Sequence, residues 1–345
     1  MVGTFSLRVS RRGVFHMLVR FTPQVSLADI SRLTDRCKAL GVNYKLIQEM
    51  VTSYLVVESA EQAKIDELYH QFKQMPIVSA LVRTEKSQNP LQELEPVKFK
   101  AGNRWVGRGS RPVLIAGSPY LESQKQAVAL AGDLARIGVN IYKAGPYRPT
   151  ETLPPKALYD RTGSIIGDIS KRSGIPSTGM VEVLGPRTAL SALDAFALHV
   201  PGRFLFDANL QSQVARIGLP VLLERHSEAS TSLWLEAAGA IVAQGNSNVA
   251  LVEPGRRLAD QRTIDLVECA RLVDTCPLPL IVYPSLAARS AEEVRRIARG
   301  ALAAGASGIM IDVHPDPAEG LLTEGFCLSL KVFEEMFQSL RPLLA

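Results

Sequence analysis

The chain has 345 residues, 46% of them hydrophobic and 21% charged, with 39 Lys and Arg against 34 Asp and Glu for a net charge of +5. That is apolar material for more than one core, so two domains are expected; the basic residues are scattered apart from pairs such as Arg11-Arg12 and Arg256-Arg257, which argues against a nucleic-acid partner. Four cysteines without CxxC spacing exclude a metal ribbon or a disulfide scaffold and point to reduced thiols in a cytoplasmic setting, and no apolar run approaches the ~20 residues of a membrane span.

The N-terminal stretch MVGTFSLRVSRRGVF carries charges where a signal peptide needs its apolar segment. FHMLVRF then reads as a strand of period two, LADISRLTDRCKALG as an amphipathic helix ended by Gly41, and NYKLIQEMVTSYLVVES as an extended stretch able to form a hairpin. AEQAKIDELYHQFKQM reads as a second helix and IVSALVRTE as a closing strand. Strand, helix, two strands, helix, strand is the ferredoxin-like pattern, which predicts a small α+β domain over residues 1–85. It holds no Gly-rich loop or convergent polar cluster, so its expected role is regulation or oligomerisation, and a homo-oligomer is expected. Residues 86–112 break the periodicity with Pro, Gly and charges and read as a linker with a hairpin around Ala101-Gly102-Asn103.

From Val113 to Ala345 the pattern repeats eight times, a short apolar strand followed by a loop and a helix. The strands are VLIAGS, NIYKAG, GMVEV, DAFALHV, PVLLER, NVALVEPG, PLIVYPS and GIMIDVHP; the helices include SQKQAVALAGDLARIGV, SLWLEAAGAIVAQG, AEEVRRIARGALAAG and LKVFEEMFQSLRPLL. Such alternation demands a parallel sheet. The predicted fold is therefore an α/β protein, a (β/α)8 TIM barrel preceded by the ferredoxin-like domain. The open doubly wound alternative normally shows a Gly-rich dinucleotide loop after its first strand, and GSPYLES is not one.

Barrel chemistry collects at the C-terminal strand ends. The residues placed there are Pro119 and Tyr120; Lys143, Tyr147 and Arg148; Glu182; His199 and Arg203; Glu224, Arg225 and His226; Glu253 and Arg257; Tyr283 and Ser285; and Asp312, His314 and Glu324. Several cations around one mouth suggest a small anionic ligand, although carboxylates on the same rim offer each cation a structural partner. Asp312 and His314 lie two apart on one side of a strand, but one carboxylate and one imidazole do not make a metal site. Asp316, in a Pro-Asp-Pro turn, reads as a local backbone acceptor.

In order, AGSPYLES, KAGPYRPTET, VEVLG, PVLLERHSEAS, GNSNVALVEPGRR, VYPSLAARS and MIDVHPDPAEGLLTEG resemble the successive motifs of the type I 3-deoxy-7-phosphoheptulonate (DAHP) synthase and KDO-8-phosphate synthase family, and the N-terminal module is similar to the regulatory domain of one branch. The resemblance implies an aldol-type condensation of phosphoenolpyruvate with an aldose phosphate, erythrose 4-phosphate in the DAHP case. It also implies, for the DAHP enzymes, a divalent metal held by Cys, His, Glu and Asp. At those four positions this chain has Pro119, Leu286, Asp312 and Glu324. Two carboxylates alone leave at most weak divalent-cation binding, and no cofactor is expected.

Other departures concern substrate. The family lysine that grips phosphoenolpyruvate is Glu224, and a like-charge contact near 4 Å costs on the order of 4 kcal/mol at an effective dielectric of 20. An Arg has become Pro254 and an Asp has become Tyr283, while the Lys-Pro-Arg-Thr motif aligns to Lys143-Ala144-Gly145-Pro146 or, with a gap, to Arg148-Pro149-Thr150. Lys143, Arg148, Arg203, Arg225 and Arg257 remain as substrate-binding candidates, and Lys143 and His226 as catalytic candidates. The expected function is a family member that has lost the metal-dependent reaction and acts as a divergent homologue or partner protein. The alternatives are an enzyme of changed chemistry on a phosphorylated or keto-acid substrate, or a metal-independent synthase. An ordinary DAHP synthase would need a Cys and a His near the mouth, and no Cys lies between Val113 and Glu268.

Overall fold

The computed structural model describes residues 15–22, 25–48, 53–59, 61–83, 90–91, 94–148, 155–181, 195–259, 261–320 and 325–344. The chain divides into two compact units, Met1–Gln88 and Asn89–Ala345.

In the first unit the elements run β1 (Phe15–Phe21), α1 (Leu27–Ala39), β2 (Asn43–Gln48), β3 (Ser53–Ser59), α2 (Gln62–Lys73) and β4 (Val78–Arg83). The strands pair antiparallel in the order β2-β3-β1-β4. The alternation read in FHMLVRF sends Met17, Val19 and Phe21 into the core, where they meet Ile30, Leu33 and Cys37 of α1 and Ile65, Leu68 and Phe72 of α2. Both helical sets are spaced i, i+3, i+7, the spacing of a single buried stripe. Ser26 caps α1 by accepting the Asp29 amide at 3.2 Å.

The second unit opens with a hairpin, β5 (Lys98–Ala101) and β6 (Arg104–Gly107), turning at Gly102 with φ +59°. Its inner face buries Phe99 and Val106, with Phe99 set against Phe196 at 6.3 Å between ring centroids. The Val97 amide donates to the Pro277 carbonyl at 2.8 Å, so the hairpin packs at the N-terminal ends of the following strands.

Eight parallel strands then surround the core: β7 (Val113–Gly117), β8 (Ile141–Tyr142), β9 (Thr178–Met180), β10 (Ala197–Val200), β11 (Val221–Glu224), β12 (Val249–Glu253), β15 (Leu280–Val282) and β16 (Gly308–His314). They pair in the order β8-β7-β16-β15-β12-β11-β10-β9, and one parallel bridge from Tyr142 to Ser177 brings the two ends together. The architecture is a nearly closed parallel α/β barrel, as the strict alternation demanded. Six of the surrounding helices, beginning at Gln124, Ala208, Thr231, Leu266, Ala291 and Leu330, follow a Ser or Asp cap whose side chain accepts a first-turn amide. Among the described residues no helix is long and apolar enough to cross a membrane.

The elements differ from the sequence reading in three places. NIYKAG contributes only two strand residues, because the chain at Gly145 must pass against the first loop: a Cβ there would stand 1.8 Å from the Pro119 carbonyl oxygen. An unanticipated hairpin, β13 (Arg256–Leu258) and β14 (Gln261–Thr263), follows Gly255, whose φ is +96°. Strand β15 stops at Val282, and Pro284–Leu286 form a 3-10 turn instead of extending it. Glu182 in VEVLG, and Glu324, lie outside the described residues.

Candidate functional site

Two polar clusters occupy the C-terminal end of the barrel. In the first, Lys143, in the loop after β8, places Nζ 2.6 Å from Oδ1 of Asp312 on β16, with side-chain exposures of 1% and 3%. The other oxygen, Oδ2, accepts the Tyr283 hydroxyl at 2.7 Å, and the Asp312 amide donates to Ser285 Oγ at 2.9 Å. Lys143 Nζ also lies 5.3 Å from the centroid of the Tyr283 ring. Both carboxylate oxygens are thus engaged within the protein. Burial and then the negative charge of Asp312 push the Tyr283 hydroxyl well above its ordinary range, which keeps it a neutral donor.

The second cluster explains Glu224. Its Oε2 lies 3.0 Å from His199 Nε2, and its Oε1 accepts the Gly202 amide at 3.1 Å. Burial acts to raise this carboxyl, but the hydrogen bond and charge of His199 and the Gly202 amide outweigh it, so the group titrates below its ordinary value. His199 Nδ1 is fully buried and, among the described residues, has no hydrogen-bond partner; in the tautomer whose Nε2 donates to Glu224 this atom is an acceptor. The His199 ring stands edge-on to Tyr283 at 6.5 Å, which brings the two clusters side by side.

The remaining cations have separate neighbours. Arg225 follows Glu224 on the chain and therefore faces the opposite side, into the helical layer. There its Nη1 meets Glu253 and Glu268 at 2.8 Å each, Nη2 meets Thr231 at 3.0 Å, and Nε meets the Ala229 carbonyl at 3.1 Å. The guanidinium packs over Trp234 and is fully buried. Burial raises the Glu253 carboxyl against the pull of Arg225; at Glu268 burial is outweighed by Thr231 and Arg225, so that carboxyl is lowered.

Arg148, Arg203 and Arg257 are exposed, set respectively 5.7 Å from the Tyr120 ring, 4.7 Å from the Phe204 ring and 3.9 Å from the Glu228 carboxylate. His226 is buried beside Phe206 and accepts the Glu228 amide on Nδ1 at 3.1 Å. His314 Nδ1 lies 2.6 Å from the Asp316 carbonyl and Nε2 lies 2.8 Å from the Gln126 amide nitrogen. Asp316 accepts the Ala318 amide.

Pro119 and Leu286 are both half-buried and carry no side-chain donor. The segment after β16 brings in Cys327, which the sequence reading did not connect with the mouth. Its thiol is pushed up by burial and by the charge of Asp312, against a smaller opposing effect of Lys143, so it remains a neutral thiol. Among the described residues no group of three or more His, Cys, Asp or Glu is arranged to hold a metal ion. The sequence reading placed His199 and Glu224 on the same rim without pairing them. The available signal was a carboxylate and a histidine on neighbouring strands, Glu224 at the end of one and His199 on the other.

The fold and the strand-end motifs have counterparts among known proteins. The chain is 25% identical over 280 residues to the phospho-2-dehydro-3-deoxyheptonate aldolase of Thermotoga maritima, covering 79% of this chain and 82% of the relative. It is 22% identical over 265 residues to the 2-dehydro-3-deoxyphosphooctonate aldolase of Desulfatibacillum aliphaticivorans, covering 70% and 96%. The crystal structure of the T. maritima DAHP synthase superposes with a TM-score of 0.67 at 21% identity, over 96% of this chain and 97% of that one. The family model described as the DAHP synthetase I family matches residues 87–342, hairpin and barrel together, and with that span the chain belongs to the DAHP synthetase I family.

Proposed function

We propose that this protein is a member of its family that does not carry out the metal-dependent condensation and acts as a divergent homologue or partner protein. The observation that carries this reading is Asp312, whose two carboxylate oxygens are taken by Lys143 and Tyr283 in a site closed to solvent. A divalent metal at the family position would have to displace both partners while finding no donor on Pro119 or Leu286 and a protonated thiol on Cys327. These residues do not fit a transition metal; at most a weakly held hard cation is compatible with the carboxylates. The Lys143 pair, the His199–Glu224 pair and the Arg225 network hold the mouth together as polar core, and a small anionic partner would meet the exposed Arg148, Arg203 and Arg257.

The N-terminal unit, with its β2-β3-β1-β4 order, is read as a ferredoxin-like module for regulation or self-association into a homo-oligomer. The four free, buried cysteines fit a cytoplasmic location, and no nucleic acid or membrane partner is assigned. Incubation with phosphoenolpyruvate, erythrose 4-phosphate and Mn²⁺ is expected to release no phosphate above background. Turnover on the order of 1 per second or faster, the ordinary enzymatic range, would overturn the reading.

A second reading, an enzyme of changed chemistry on a phosphorylated or keto-acid substrate, is favoured by one observation: His199, held by Glu224 through Nε2, has a buried Nδ1 without a partner among the described residues, which suits a hydrogen-bond acceptor or base. Thermal-shift screening with sugar phosphates and keto acids addresses it. A ligand at a hundred times its dissociation constant stabilises by about 2.7 kcal/mol, and under this reading that shift disappears in His199→Phe.

A further inference from the structure

The β5–β6 hairpin has a second face. Phe99 and Val106 point inward, so the alternation turns Lys98, Lys100 and Trp105 outward. Trp105 is 52% exposed, unusual for an indole in a unit that buries its other tryptophan, Trp234, completely. Beside it lies a cleft of about 440 Å³ lined by Lys98, Asn103, Arg104, Trp105, Ser110 and Arg111. Three of these side chains are cationic, none is acidic, and among the described residues none of the three cations has a carboxylate partner. Elsewhere on this unit Arg295 and Arg296 meet Glu292, and Arg257 meets Glu228.

The loop that closes the cleft is held in place. Arg108 reaches the Val273 carbonyl, and the Ser110 amide donates to the Gly107 carbonyl at 3.1 Å. Between them Gly109 takes φ +73°, and a Cβ there would stand 3.5 Å from Lys98 Nζ. The ammonium thus lies over bare backbone, where a bulkier residue would narrow the opening.

We propose that this cleft, at the end of the barrel opposite the mouth, binds a multiply charged anion attached to a planar ring, the chemistry of a nucleoside di- or triphosphate. The ring stacks on the exposed face of Trp105, and the phosphates lie across Lys98, Arg104 and Arg111. The count of cations selects the ligand: a monocarboxylate would leave two of the three uncompensated, whereas two or three phosphate charges match them. The volume lies within the range of small-molecule sites. The proposal does not depend on what the mouth does, and it is read by binding alone.

The test is titration of the full chain with ADP, pyrophosphate and adenosine, followed by tryptophan fluorescence and by calorimetry. Trp234 is buried, so quenching reports Trp105. ADP is expected to quench saturably, pyrophosphate to compete with it, and adenosine alone to bind too weakly to saturate. Arg104→Ala and Arg111→Ala should each weaken ADP about tenfold with unchanged melting temperature, the effect of one lost charge-assisted contact. Trp105→Phe should lose the optical signal yet retain measurable heat. Linear, unsaturable quenching would overturn the proposal, as would ADP binding unaffected in the Lys98→Ala/Arg111→Ala double variant. Affinity that grows with the length of single-stranded RNA would also overturn it, by assigning the face to nucleic acid.

Discussion

Asp312 and Lys143 form an ion pair that water does not reach, so each is stable only while the other is present. Lys143→Met is expected to cost about 3–5 kcal/mol in denaturant melts, because among the described residues it leaves a buried carboxylate with Tyr283 as its only remaining side-chain partner. The double variant Lys143→Met/Asp312→Leu should recover a large part of that loss, since no isolated charge remains; a double variant as unstable as the sum of the single ones would show the pair is not coupled. Glu224 gives a pH signature. Its folded titration lies below the ordinary 4.5, so the stability it confers is fully present above that value and is lost as pH falls through the folded value. The melting-temperature gap between the native protein and Glu224→Gln should be widest near neutrality and shrink as the pH falls below about 4.5. A constant gap would mean that Glu224 is not held as a carboxylate by His199.

At the scale of elements, periodicity and caps located strands and helices but not how long each strand runs before a neighbouring loop interrupts it. Gly145 is the clearest case: the loop after β8 has no room for a side chain, because the Pro119 carbonyl already occupies the space a Cβ would need. Gly145→Ala should therefore push the first two loops apart, lower stability by about 1–3 kcal/mol and expose Lys143. Faster hydrogen exchange confined to residues 118–121 and 143–147 would confirm it; unchanged exchange would contradict it. The β13–β14 hairpin had no apolar alternation to announce it, since Leu258 is the one large apolar side chain in RRLADQRT, and the left-handed residues Gly255 and Ala259 shape it.

At the scale of the whole molecule, the hairpin belongs with the barrel: Val97 is hydrogen-bonded to Pro277 and Phe99 packs on Phe196. The hairpin expected within residues 86–112 thus lies in the second unit, which begins at Asn89. Residues 89–345 expressed alone are expected to be soluble and to melt cooperatively, because they form a compact unit of their own. An aggregated or non-cooperative product would show that the first unit is needed for folding.

The order of elements and the resemblance at the strand ends were legible in the chain itself, because period, caps and motif spacing are local properties. What only the tertiary structure decided was which charge meets which. Glu224 and Arg225, adjacent in sequence, face opposite sides of the barrel wall, one toward His199 and the other toward Glu253 and Glu268. Cys327 arrives beside Asp312 from a segment beyond the last strand of the barrel. Partners of this kind lie on different strands and loops, and their meeting depends on barrel closure and side-chain direction, which no local pattern encodes.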